Sequence, residues 1–261
     1  MKIPIIDNDG KPAWPELFSL EKINELKNIV GPRHFSAQMM LEYVPEERIC
    51  LDPGAINFYD EDFDVRLARI GSHTISSVGF YWDPSSGHNK SDGSVCALVY
   101  QDEKNRTAFV HDILYTNVSD DDLYPMASQC ETILDFMRQH NLIRIGIETN
   151  GIGNTLPEII RTIAGKKQIP INIVQISNRI KKETRILNAI EPILTTGRLY
   201  MREKIRQTML LSEMLAWSPT GSCEHDDGLD AVAGALTMPS WPIRAINQHN
   251  QIVRAKTEFN I

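Results

Sequence analysis

Several features that mark protein classes are missing or scarce here. There are four cysteines in 261 residues (Cys50, Cys96, Cys130, Cys223), and no two form a CxxC pair. A structural zinc site or a disulfide framework is therefore not expected; free thiols in a cytoplasmic chain are. No stretch nears the roughly 18 unbroken apolar residues of a membrane span. Residues 1–17, MKIPIIDNDGKPAWPEL, lack an apolar segment, so neither a membrane anchor nor a secretory signal is expected. A GxxxxGK[ST] phosphate loop is also absent. Gly165-Lys166-Lys167 lacks the upstream glycine and the hydroxyl residue, and Gly151-Ile152-Gly153 lacks the third glycine of a dinucleotide site. ATP hydrolysis is thus not expected of these residues. Positive charge is in deficit, with 27 Lys and Arg against 34 Asp and Glu and a net charge of -7. That weighs against a phosphate-bearing partner contacted over the whole surface.

What is present suits a packed globular protein: 42 % hydrophobic and 23 % charged residues. The length fits one domain of about 200 residues with an appendage. Residues 1–70 carry six prolines and the acidic run Asp60-Glu61-Asp62. They read as a linker or appendage, with one helix near Leu20 to Val30 capped by Ser19 and a second over Ser36 to Tyr43. From about residue 74 the pattern changes. Ile75 to Trp82, Val95 to Tyr100 and Thr107 to Tyr115 are β-prone runs with short loops, which predicts a three-stranded antiparallel meander. Residues 120–140 have helical spacing, with Asp120 to Asp122 at the N-terminus. Strands at Ile143–Glu148, Ile171–Ile176 and Leu199–Met201 then alternate with helices at Thr155–Ala164, Lys181–Thr195, Ile205–Ala216 and Asp226–Met238. Pro192 is expected to kink the second of these helices and Gly197 to stop it. The fold class expected is α/β, a mixed sheet covered by helices on both faces. The domain expected spans 71–240, and 241–261 reads as a polar tail.

Three acidic places carry chemistry. Asp83 ends an apolar strand and is followed at once by Pro84. Glu148 ends another and is followed by Asn150-Gly151. An ionised carboxylate at the end of an apolar run is costly unless paired or metal-bound. The third place is His225-Asp226-Asp227-Gly228-Leu229-Asp230, which opens an apolar helix. Taken singly, Asp-Pro reads as a turn and Asp226 as a helix cap. Together, converging carboxylates suit Mg²⁺ or Mn²⁺, and two such ions support phosphodiester hydrolysis. Between Arg179 and Arg206 stand eight basic residues against three acidic ones. Arg179, Lys181, Lys182, Arg185, Arg198 and Arg202 would there form a face for a DNA backbone; the alternative is a solvated helix face.

These motifs resemble the nuclease domain of the large terminase subunit of tailed bacteriophages. The resemblance lies in Asp83-Pro84-Ser85-Ser86 with Asp92, in Ile147-Glu148-Thr149-Asn150-Gly151-Ile152-Gly153, in Lys182-Glu183-Thr184-Arg185-Ile186 with Gly197-Arg198-Leu199-Tyr200, and in the motif from His225 to Ala231. Residues 13–38 are similar to the segment joining motor and nuclease in those proteins. The resemblance implies an RNase H-like fold and a Mg²⁺ or Mn²⁺ site holding two ions. It implies cutting of concatemeric viral double-stranded DNA in the host cytoplasm. The partners implied are a motor ATPase domain, a small terminase subunit and the portal of a procapsid, with no membrane. Asp83, Glu148 and Asp227 would be catalytic. The metal ligands would come from Asp83, Glu148, Asp226, Asp227 and Asp230, with Asp227 the first choice in the last cluster. His225 would be a ligand, a proton carrier or a cap partner, and Asp92 an auxiliary. The alternatives are another RNase H-like nuclease (a junction resolvase, a transposase or an RNA-strand-cutting hydrolase) and a non-catalytic docking module of a packaging complex. A calcium loop over Asp83 to Asp92 lacks the closing glutamate of an EF-hand.

Overall fold

A computed structural model describes residues 3–7, 9–30, 35–41, 51–85, 94–116, 121–150, 154–220 and 225–245. α1 (Leu20–Val30) begins behind Ser19, whose Oγ accepts the Lys22 amide at 3.3 Å. Short strands β1 (Asn57–Tyr59), β2 (Arg69–Ile70) and β3 (His73–Thr74) follow. The long strands are β4 (Ser77–Asp83), β5 (Ser94–Asp102) and β6 (Thr107–Thr116). Then come α2 (Pro125–Gln139), β7 (Arg144–Glu148), α3 (Leu156–Lys167), β8 (Asn172–Ile176), α4 (Lys182–Thr195), β9 (Leu199–Arg202), α5 (Leu210–Ala216), α6 (Asp227–Thr237) and β10 (Trp241–Pro242).

Among the described residues the main mixed sheet runs in the order β1-β9-β6-β5-β4-β7-β8, with β10 pairing β4 off this path, while β2 and β3 pair separately. β4, β5 and β6 pair antiparallel. β7 and β8 add in parallel beside β4, each after a helical crossover. Both faces are covered, which explains the unbroken apolar runs. On β5, Val95, Ala97 and Val99 pack with the α4–α6 side, whereas Cys96, Leu98 and Tyr100 pack with α2 and α3. The mixed sheet flanked by helices is thus as the sequence predicts. α6 is buried from Asp227 through Ala235. A Cβ built on Gly79 of β4 would lie 2.1 Å from the Ala235 carbonyl oxygen, so only glycine lets α6 approach the sheet this closely.

Some local expectations are corrected. The described part of the helix expected over Ser36 to Tyr43 is not a regular α-helix: Phe35–Met39 makes a short π-type turn and Leu41 takes a positive φ of 57°, while residues 42–43 lie outside the described residues. Ile205 to Ala216 is not one helix either. Glu203–Gln207 is a 3-10 turn, and Thr208 is extended, with its hydroxyl spent on the Ile205 carbonyl, before α5 begins. Two segments outside 71–240 join the sheet. Asn57–Tyr59 pairs with β9, and Trp241 pairs with Val78 of β4. Residues near the N-terminus also have a small core of their own, Ile5, Ile23 and Phe35.

Candidate metal centre

The parallel register pairs Tyr81 with Gly146 and Trp82 with Ile147. Asp83 and Glu148 therefore end neighbouring strands at one edge of the sheet. Tyr81 and Asp83 are two residues apart and share a face, the face that α6 crosses. The first turn of α6 brings Asp230 down onto this corner. Oxygens of Asp83, Glu148 and Asp230 lie within 4.8 Å of one another. Asp227 is not in that group. Its Oδ1 is 3.0 Å from Lys182 Nζ, and Asp226 Oδ1 is 2.6 Å from the same ammonium. One α6 turn cannot aim all three aspartates at a single point, and Asp230 is the one directed inward.

Glu148 sits in a cage of donors. Tyr81 Oη donates to Oε2 at 2.5 Å and Asn178 Nδ2 at 2.9 Å, while Asn150 Nδ2 donates to Oε1 at 2.8 Å. Arg185 Nη2 approaches Oε2 at 3.3 Å, and Arg185 also grips Asp230 through Nε at 2.8 Å and Nη2 at 2.5 Å. Burial drives the Asp83 carboxyl well above the usual carboxylate range, and the nearby charges of Asp230, Glu148 and Asp227 add to this, while Lys182 opposes it. Burial also raises Asp230, against the hydrogen bonds and charge of Arg185. Burial disfavours the Lys182 ammonium, but Asp226, Asp227 and Asp230 outweigh that and hold it charged. Behind this group Glu213 of α5 is pushed up to about 7, chiefly by burial.

The residues expected to track DNA divide into three sets. Arg179 and Lys181 are exposed on the loop between β8 and α4, next to Asn178. Arg185 is buried and Lys182 turns inward, so these two are ion partners of the acidic cluster rather than members of an outer basic face. Arg198 precedes β9 and Arg202 ends it; β9 pairs with β6 at Ala108 to Val110. Asp83 stands level with Tyr115 through Val95, about 20 Å along β6 from Ala108 at the strand rise. Arg202 is engaged instead with Asp62 at 2.5 Å and His111 at 3.2 Å. The charge count groups these cations on one stretch of sequence, but the crossovers separate them in space. His225 is exposed just before α6. Asp92 lies outside the described residues.

Sequence reasoning does not single out Tyr81, Asn150, Asn178 or Glu213. Tyr81 carries a usable signal, since it shares a face with Asp83 by strand alternation. Asn150 is two residues after Glu148. Asn178 and Glu213 have none, because only the crossovers bring them here.

The chain is similar to several known proteins. Residues 83–199 match the family described as Terminase Bacteriophage T7, Ribonuclease H-like domain. Among solved structures, the nuclease domain of the P22 large terminase is similar, with a TM-score of 0.49 and 11 % identity over 72 % of this chain and 89 % of that one. The nuclease domain of the large terminase of bacteriophage SPP1, solved with bound Mn, has a TM-score of 0.40 and 15 % identity over 69 % and 94 %. The HK97 bacteriophage large terminase has a TM-score of 0.47 and 10 % identity over 90 % of this chain; the match spans only 55 % of that protein. No curated protein sequence matches the chain. Among the described residues no helix is long and apolar enough to cross a membrane. The stretch that matches this family model, residues 83–199, includes Asp83, Glu148, Lys182 and Arg185.

Proposed function

We propose that the protein is a divalent-cation-dependent endonuclease, the cutting part of a terminase large subunit that cleaves concatemeric double-stranded viral DNA during genome packaging. The observation that supports this most is the convergence of Asp83, Glu148 and Asp230 within 4.8 Å on adjacent elements. The donor set fits the ion: three carboxylates offer hard oxygen ligands, which suit Mg²⁺ or Mn²⁺ better than thiol- or imidazole-seeking metals. Asp83, Glu148 and Asp230 would hold it, with Asp227 beside them for a second ion. One or two such ions would supply activation of the attacking water and charge stabilisation at the leaving oxygen.

The protein's own residues prepare that corner. Tyr81, Asn150 and Asn178 orient Glu148 by hydrogen bonds. Arg185 spans Glu148 and Asp230, and Lys182 balances Asp226 and Asp227. Arg179 and Lys181 would meet phosphates beside the corner, giving cutting with little sequence preference. The nuclease unit would take in 71–240 with Asn57–Tyr59 and Trp241–Pro242. A motor ATPase domain, a small terminase subunit and a portal would be its partners in the host cytoplasm.

Supercoiled plasmid incubated with protein and Mn²⁺ tests this. Wild type should nick and linearise it, and Asp83→Ala, Glu148→Gln and Asp230→Asn should not. Undiminished cutting by the Asp83→Ala protein would sink the assignment. One observation favours a docking module instead: Lys182 and Arg185 already neutralise much of the cluster. Absence of both Mn²⁺ binding and cleavage would support that reading.

A further inference from the structure

α6 presents Asp227 and Asp230 from its first turn, yet Asp226, in the cap position, makes no side-chain bond to the helix amides. It is spent on Lys182 at 2.6 Å. The Leu229 amide is served from another element. Glu213 of α5, 3 % exposed, accepts it through Oε2 at 3.1 Å. Its other oxygen accepts the Tyr115 hydroxyl at 2.9 Å. Tyr115 stands on the same rung of the sheet as Asp83, because Asp83 pairs with Val95 and Val95 with Tyr115. Directly opposed residues share a face, so both project from one face two strands apart, about 10 Å. The connection from the Asp83 rung through Tyr115 and Glu213 to the Leu229 amide ends one residue before Asp230. Gly228 shows how closely these groups fit. A Cβ there would lie 2.1 Å from Tyr115 Oη and 2.6 Å from Glu213 Oε2.

We infer that Glu213, tied to Tyr115, is a positioning residue of the acidic centre, fixing the first turn of α6 so that Asp230 meets Asp83 and Glu148. This rests on reading those three carboxylates as metal ligands. Glu213 touches none of them directly in this arrangement; it acts through the backbone of α6. Partners that orient ligands from outside typically carry about 10–100-fold in metal affinity. A cap that served stability alone would leave affinity untouched in the folded protein.

The test compares Glu213→Ala, Glu213→Gln and Met214→Ala by Mn²⁺ titration, thermal unfolding and amide hydrogen exchange. Met214 is fully buried on the same helix and is apolar, outside this hydrogen-bonded relay, so its variant controls for general destabilisation. Glu213→Ala should bind Mn²⁺ about 10–100-fold more weakly and exchange the 227–230 amides faster than the rest of the fold. Glu213→Gln can still accept the Leu229 amide and donate to Tyr115, and should regain most of the affinity. Met214→Ala should lower Tm and leave affinity near wild type. Unchanged affinity in folded Glu213→Ala, or an equal loss in Met214→Ala, would overturn the inference. Failure of the wild type to bind Mn²⁺ would instead sink the ligand assignment. Exchange at 227–230 would still decide whether Glu213 fixes the turn, and exchange unaltered in Glu213→Ala would overturn it.

Discussion

Lys182 and Arg185 lie three residues apart on α4 and reach one acidic corner through different partners. Arg185 is deep and bidentate on Asp230, while Lys182 is nearer the surface between Asp226 and Asp227. Lys182→Met leaves those aspartates without their cation. It should cost about 1–3 kcal/mol, between the near-zero value of exposed pairs and the roughly 3–5 kcal/mol of buried ones. Urea unfolding at neutral pH measures this, and added Mn²⁺ should recover part of the deficit. Glu213 gives a pH signature. Its folded pKa of about 7 lies above the ordinary 4.5. Its contribution to stability is therefore complete below 4.5 and lost as pH rises through about 7. Tm of wild type relative to Glu213→Gln should fall across that window; parallel curves would refute the assignment.

α6 is apolar on nearly all sides and lies flat on β4 and β5, with its first turn over the ends of β4 and β7. The approach depends on Gly79 beneath Ala235. Gly79→Ala places a methyl group against a backbone carbonyl, which no rotamer change can relieve. Overpacking of this kind costs about 1–3 kcal/mol or more. The displaced helix should also carry Asp230 away from Asp83, so the urea midpoint and the Mn²⁺ affinity should fall together. A drop in the midpoint alone would show that the acidic corner tolerates a shift of α6.

On the proposed function, an acidic chain would have to bind an acidic polymer, and few of the described cations near the centre are exposed. Arg179 and Lys181 follow Asn178, which holds Glu148. Replacing both with alanine should lower the slope of log affinity against log salt by about 2, one for each phosphate no longer neutralised. Arg198→Ala and Arg202→Ala, some way along the sheet, should leave the slope unchanged. Saturating Mn²⁺ should raise the unfolding free energy by about 2.7 kcal/mol at a hundredfold excess over Kd. Asp230→Asn should abolish that gain.

Much of this protein is legible in its residues. Hydrophobic period alone places the β4–β6 meander, the later strands and their helices, because burial on both faces leaves an unbroken apolar run. Strand-ending carboxylates at Asp83 and Glu148 stand out for the same reason: charge is costly there without a partner. Local rules fail where the partner is distant. Nothing near Asp226, Asp227 and Asp230 in sequence says which points inward. The crossing of α6 over β4 chooses Asp230, and Lys182 engages the other two. The basic stretch reads as one face because charge counts ignore where crossovers lead. Composition and periodicity, which are local, therefore determined the elements and the acidic chemistry. The grouping of Asp83, Glu148 and Asp230, the inward turn of Lys182 and Arg185, and the bracket from Tyr115 through Glu213 follow from interactions between residues tens of positions apart, which exist only once the sheet and α6 have packed.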